Sequence, residues 1–106
     1  MPKFMVKASY SAEGARGLVK EGGTSRRSAV SKLIEGMGGK LEAFYYAYGE
    51  TDAYAICDLP DPASVIAVSM AINASGAVHI STIPLIAPEE VDAAAKKVPD
   101  YRVPGA

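Results

Sequence analysis

The chain of 106 residues contains one cysteine, Cys57, and one histidine, His79. A single cysteine excludes an internal disulfide framework and a zinc site built from cysteines. A single histidine excludes a metal site made of several imidazoles. Neither sign of charge dominates: 11 Lys and Arg stand against 12 Asp and Glu, a formal charge of −1. Nucleic-acid binders show a basic excess or stripe, and this chain has none. Long apolar runs are missing too. Residues 4–6 are too few for the apolar region of a signal peptide. The most apolar stretch, residues 63–74, is interrupted by Ser64, Ser69 and Asn73. It falls far short of the roughly 20 residues that cross a bilayer. The expectation is a cytoplasmic protein with no metal, no cofactor, no nucleic acid and no membrane partner.

What is present suits one small globular domain, with 49% hydrophobic and 22% charged residues. Residues 3–10 alternate, Phe4, Val6, Ala8 and Tyr10 against Lys3, Met5, Lys7 and Ser9, which predicts a strand with one buried face. Ser11 is placed to cap a helix with Glu13 in its first turn, but Gly14 and Gly17 weaken the segment 12–20. A stronger helix is predicted over 25–37, where Ala29, Val30, Leu33, Ile34 and Met37 form one stripe before Gly38-Gly39. Strands over 40–48 and 52–59 form a hairpin around Gly49-Glu50-Thr51. Asp61-Pro62 opens a second major helix, as cap and first helical position. A strand over 77–85 and a short helix starting at Pro88 follow.

This order predicts an α+β, ferredoxin-like βαββαβ fold: a four-stranded antiparallel sheet, helices on one face and an extra C-terminal helix. The domain covers residues 1–98, and 99–106 form a loosely held tail. Two features predict a homo-oligomer. Val65, Ile66, Val68, Met70, Ala71 and Ile72 nearly encircle the second major helix, and such a helix is normally covered on most sides. The strand 40–48 has no polar side: Leu41, Ala43, Tyr45 and Ala47 alternate with Glu42, Phe44, Tyr46 and Tyr48. A sheet face open to water is normally polar, so the open face and the second helix are read as subunit contacts.

The run Ser9-Tyr10-Ser11-Ala12-Glu13-Gly14 carries a resemblance, as do Gly38-Gly39-Lys40-Leu41-Glu42, residues 45–49, Asp52 and Gly76-Ala77-Val78. In that order and spacing the chain resembles the GYD domain family over most of residues 3–86. The family signature Gly-x-Tyr-Asp reads Gly49-Glu50-Thr51-Asp52 here, with threonine in place of tyrosine. The resemblance implies a ferredoxin-like fold akin to dimeric α/β barrels. It implies no established activity.

Several residues are candidates for chemistry. Histidine is the side chain type poised for acid–base work, so His79 can act as a base or a single ligand, on the open sheet face with Tyr46 or Tyr54. Tyr45, Tyr46, Tyr48 and Tyr54 can line a cavity as apolar walls with hydroxyl tips, or anchor an interface. Arg26 and Arg27, after Gly22-Gly23-Thr24-Ser25 at a helix start, can hold a phosphate or carboxylate, or face water. Asp52 can cap the hairpin turn or supply a carboxylate to a site. Asp58 fits a sheet edge or a lysine partner, and Cys57 a buried structural thiol. Whether the protein is an enzyme is left open by these residues. The favoured reading is a homo-oligomeric domain binding a small molecule or partner at the sheet face or subunit interface. The alternative is a cofactor-independent oxygenase or isomerase of the barrel kind, with His79 as base and Tyr46, Tyr48 or Tyr54 positioning substrate.

Overall fold

A computed structural model describes residues 2–47 and 49–106; Tyr48 lies outside the described residues. The elements run β1 (Lys3–Tyr10), α1 (Ala12–Glu21), α2 (Gly23–Gly36), β2 (Lys40–Tyr46), β3 (Ala53–Asp58), α3 (Pro62–Ala74), β4 (Val78–Leu85) and α4 (Pro88–Ala95). The strands form one antiparallel sheet in the order β2-β3-β1-β4. The expected α+β arrangement is therefore present, with helices packed on one face of the sheet.

The α/β barrel expected from the resemblance is not formed. The sheet is open, with β2 and β4 as unpaired edges. Each edge strand bonds along one side alone, so nothing closes the sheet on itself.

Local sequence accounts for the helix boundaries. The Ser11 hydroxyl accepts the Gly14 N–H at 3.1 Å and opens α1. The Asp61 carboxylate accepts the Ser64 N–H at 2.8 Å and opens α3, with Pro62 at its first position. That bond holds the Asp61 carboxyl below its usual pKa. Between α1 and α2, Gly22 stands at φ +88°, a conformation that favours glycine. It lets α2 begin at Gly23, two residues before the predicted start at residue 25, without any side-chain cap.

Gly14 is required for another reason. A β-carbon there would overlap the Ala77 carbonyl, which already accepts the Ser11 N–H at 3.0 Å and the Ser11 hydroxyl at 3.1 Å. The glycine that weakens α1 as a helix is what lets α1 lie against the start of β4.

The core lies between sheet and helices. Ile34, Cys57, Leu59 and Val68 are buried together, with Phe4, Val6, Val30, Leu33, Met37, Leu41, Val65 and Ile72 around them. Cys57 is a free, buried thiol, and burial pushes its pKa up. Among the described residues, no helix is long and apolar enough to cross a membrane.

The two apolar sides read from β2 have a specific resolution. The pairing of β2 with β3 shifts register between Leu41 and Ala43. A β-bulge adds one residue and reverses the alternation beyond it. Leu41, Phe44 and Tyr46 consequently all face the helices, where Phe44 and Tyr46 meet edge to face with centroids 5.1 Å apart. Glu42 faces the other way with Lys3, which bonds Glu42 at 2.7 Å and Asp58 at 3.0 Å. Asp58 thus has a lysine partner.

Candidate functional site

The central strands present small side chains to the helix layer. Ala8 of β1 pairs with Ala53 of β3, and Val6 pairs with Ala55. Three methyl groups lie where a close-packed core would carry larger branched residues. They leave a partly open apolar void of about 40 Å³ over Ala8, Ala53 and Ala55, walled by Arg26, Val30, Ile34 and Phe44 among others. That is room for a few water-sized groups, in a lining with little to hydrogen-bond water.

At the end of the sheet where β1 and β2 stop, this void meets two open clefts. One, of about 440 Å³, runs between α1 and α3 and shares Tyr10, Arg26, Ile72 and Val78 with the void. The other, of about 580 Å³, is lined by Tyr10, Leu18, Val19, Gly23, Tyr46 and Asp52. Tyr10 borders all three spaces.

The polar groups at this junction are few and fixed. Tyr46 donates its hydroxyl to the Gly23 carbonyl at 3.2 Å, tying β2 to the first residue of α2. Burial raises the Tyr46 pKa to about 12; the neighbouring Tyr10 and Glu21 push in the same direction and Arg26 opposes them. Tyr46 is therefore a neutral donor at physiological pH. Asp52 accepts the Tyr10 N–H on its carboxylate at 2.8 Å, and its backbone bonds Ala8 and Ala47. Its main task is to hold the ends of three strands together beneath the cleft. Arg26 is half-buried and, unlike Lys3, forms no ion pair among the described residues.

The fold thus brings Tyr46, Asp52 and Arg26 to one end of the helix-covered face. Tyr10, which the sequence reading treated as a strand residue, joins them. Its signal was an aromatic ring immediately before a helix cap. The other candidates lie elsewhere. His79 is exposed on the open sheet face, opposite Ser9 in register, and Tyr54 is on that same face opposite Lys7. Strand β1 lies between the strands of Tyr54 and His79, and the sheet separates both from Tyr46. Arg27 is exposed and borders a shallow polar depression with Ser28, Ser31 and Glu42. Among the described residues, no group of three or more His, Cys, Asp or Glu side chains is placed to hold a metal.

A GYD domain model matches residues 4–95. The chain belongs to the GYD domain family. The match takes in the sheet except Lys3, α1 to α3 and all of α4. No curated protein and no solved structure matches the chain. Within this GYD domain, the Gly49-Glu50-Thr51-Asp52 turn delivers Asp52 to the Tyr10 N–H. Gly14 and Ala77 form the close contact between α1 and β4.

Proposed function

We propose that this GYD domain binds a small organic acid with an apolar body, held between its helix layer and the alanine-lined floor of the sheet. The observation that carries this reading is Arg26. It is half-buried without an ion-pair partner among the described residues, at the rim of an apolar void and beside two tyrosines. A guanidinium in an apolar margin is normally paired, and a ligand carboxylate matches its fork of N–H donors. The apolar part of such a ligand would fill the space above Ala8, Ala53 and Ala55. Tyr10 and Tyr46 would flank it with ring surface and hydroxyl groups.

The same reading includes association of copies over the open sheet face and the outer side of α3. Tyr45 on the sheet is 72% exposed, and Ile66 and Met70 on α3 are 57% and 66% exposed. Uncovered apolar surface of this kind is characteristic of interaction sites.

Native mass spectrometry of untagged protein, followed by titration with benzoate and hexanoate, tests both parts. The expected result is an oligomer with at most one added acid per subunit, and binding lost at least tenfold in Arg26→Gln. Failure of either acid to bind, or equal binding by Arg26→Gln, overturns the ligand reading. A monomer overturns the association.

A further inference from the structure

Beyond Leu85 the chain leaves the packed body of sheet and helices. Every residue of α4 and of the segment after it is exposed. The molecule measures 56 × 33 × 22 Å, with a radius of gyration of 17.1 Å. A compact chain of this length has a radius of gyration of about 13 Å, so the C-terminal arm stands out from the body. It is not uniformly polar. With 3.6 residues per turn, Val91, Ala94 and Ala95 share one side of α4, and Val98 follows three residues past its end. Val91 and Val98 are 57% and 74% exposed.

The charges bordering this stripe are sorted along the helix. Glu89, Glu90 and Asp92 occupy the first half, and Lys96 and Lys97 follow its end. Continued through the turn at Lys96 and Lys97, helical spacing would set Glu90 and Lys97 on one margin and Asp92 and Lys96 on the other.

We infer that α4 pairs antiparallel with α4 of a second copy, across a two-fold axis close to Ala94. That arrangement sets Glu90 against the second copy's Lys97 and Asp92 against its Lys96, on both margins at once. A parallel pair would set carboxylate against carboxylate and ammonium against ammonium. Ala94 and Ala95 at the crossing allow the two backbones to approach closely, while Val91 and Val98 cover the ends. A two-fold pairing of identical surfaces closes on itself, so it yields a dimer at this contact and no chain of subunits. The contact is separate from the ligand cleft and from the sheet-face association proposed above.

The same charge order also suits the dipole of a single helix, acid at the N-terminus and base at the C-terminus. The two explanations diverge when the order is reversed. The experiment uses full-length Ala94→Cys, with Ala93→Cys on the opposite side of α4 as control; Cys57 is buried and does not compete. Under mild air oxidation, Ala94→Cys is expected to form a disulfide-linked dimer at least tenfold faster than Ala93→Cys. Adding Lys96→Glu and Lys97→Glu is expected to abolish that advantage. Further adding Glu89→Lys, Glu90→Lys and Asp92→Lys is expected to restore it, although the helix dipole is then opposed. Equal cross-linking at 93 and 94, no cross-linking at 94, or no recovery in the fully reversed variant overturns the pairing. An oligomer that persists without the cross-link at 94 overturns the α4 pairing and leaves the sheet-face association standing.

Discussion

The carboxylate of Asp52 accepts the backbone N–H of Tyr10 at 2.8 Å, across 42 residues of sequence. This bond joins the β2–β3 turn to the last residue of β1 and so fixes the floor of the cleft. A hydrogen bond to a charged, partly buried acceptor contributes about 1–2 kcal/mol after allowance for partial exposure. Asp52→Ala is expected to lower stability by about that amount, measured by urea denaturation. Asp52→Asn keeps an acceptor oxygen and is expected to lose less than half as much. Equal losses would mean that the Tyr10 N–H is not the partner that matters.

The two glycines of α1 are expected to respond in opposite directions to the same substitution. A β-carbon at Gly14 meets the Ala77 backbone, whereas one at Gly17 meets nothing within 4 Å. Gly14→Ala is expected to destabilise by about 1–3 kcal/mol through forced displacement of α1. Gly17→Ala is expected to stabilise by about 0.5–1 kcal/mol through helix propensity and a less free unfolded chain. Thermal unfolding of the pair checks both signs.

Alkaline stability reports on Tyr46. Its pKa in the folded protein is raised from 10.0 to about 12. The folded state therefore keeps a proton that the unfolded state releases over that range. The contribution of Tyr46 is complete below about pH 10 and is lost as the pH rises through the folded value of about 12. Unfolding free energy measured against pH should fall across this window, and the fall should be shallower in Tyr46→Phe. An unchanged slope would place the Tyr46 hydroxyl in water.

Filling the void separates folding from binding. Ala55→Val adds two methyl groups to the void floor. The stability change is expected to stay within about 1.5 kcal/mol, because the added volume meets existing space. Binding of the organic acid is expected to weaken at least tenfold. Loss of binding through general unfolding would show in the near-UV circular dichroism, which is expected to remain native.

Much of the fold was legible because its signals are local. Alternation in residues 3–10, the Asp61-Pro62 start and the glycines after Ile34 each act within a few positions of themselves. The bulge beside Glu42 was not legible. It depends on β2 pairing out of step with β3, and the sequence records this as consecutive residues that break alternation. The void was hidden for a similar reason: Ala8 and Ala53 become neighbours through strand register, across a long stretch of chain. Alternation did place His79 and Tyr54 on one sheet face. It put Tyr46 there too, and the single extra residue of the bulge moved Tyr46 to the helix side. The candidate site thus emerged from tertiary pairing, with Arg26 as its most legible member.

Helix α1 contributes no buried residue, although it covers part of the cleft. Its attachments are at its two ends: Ser11 on Ala77, and Gly22 leading into Gly23 beneath Tyr46. Lifting α1 exposes little apolar surface, while separating β3 from β1 dismantles the core. Hydrogen exchange should therefore find α1 amides opening by local fluctuation, well before the β3 amides, which wait for global unfolding. A ligand held as proposed would enter and leave through this segment without disturbing the sheet beneath it.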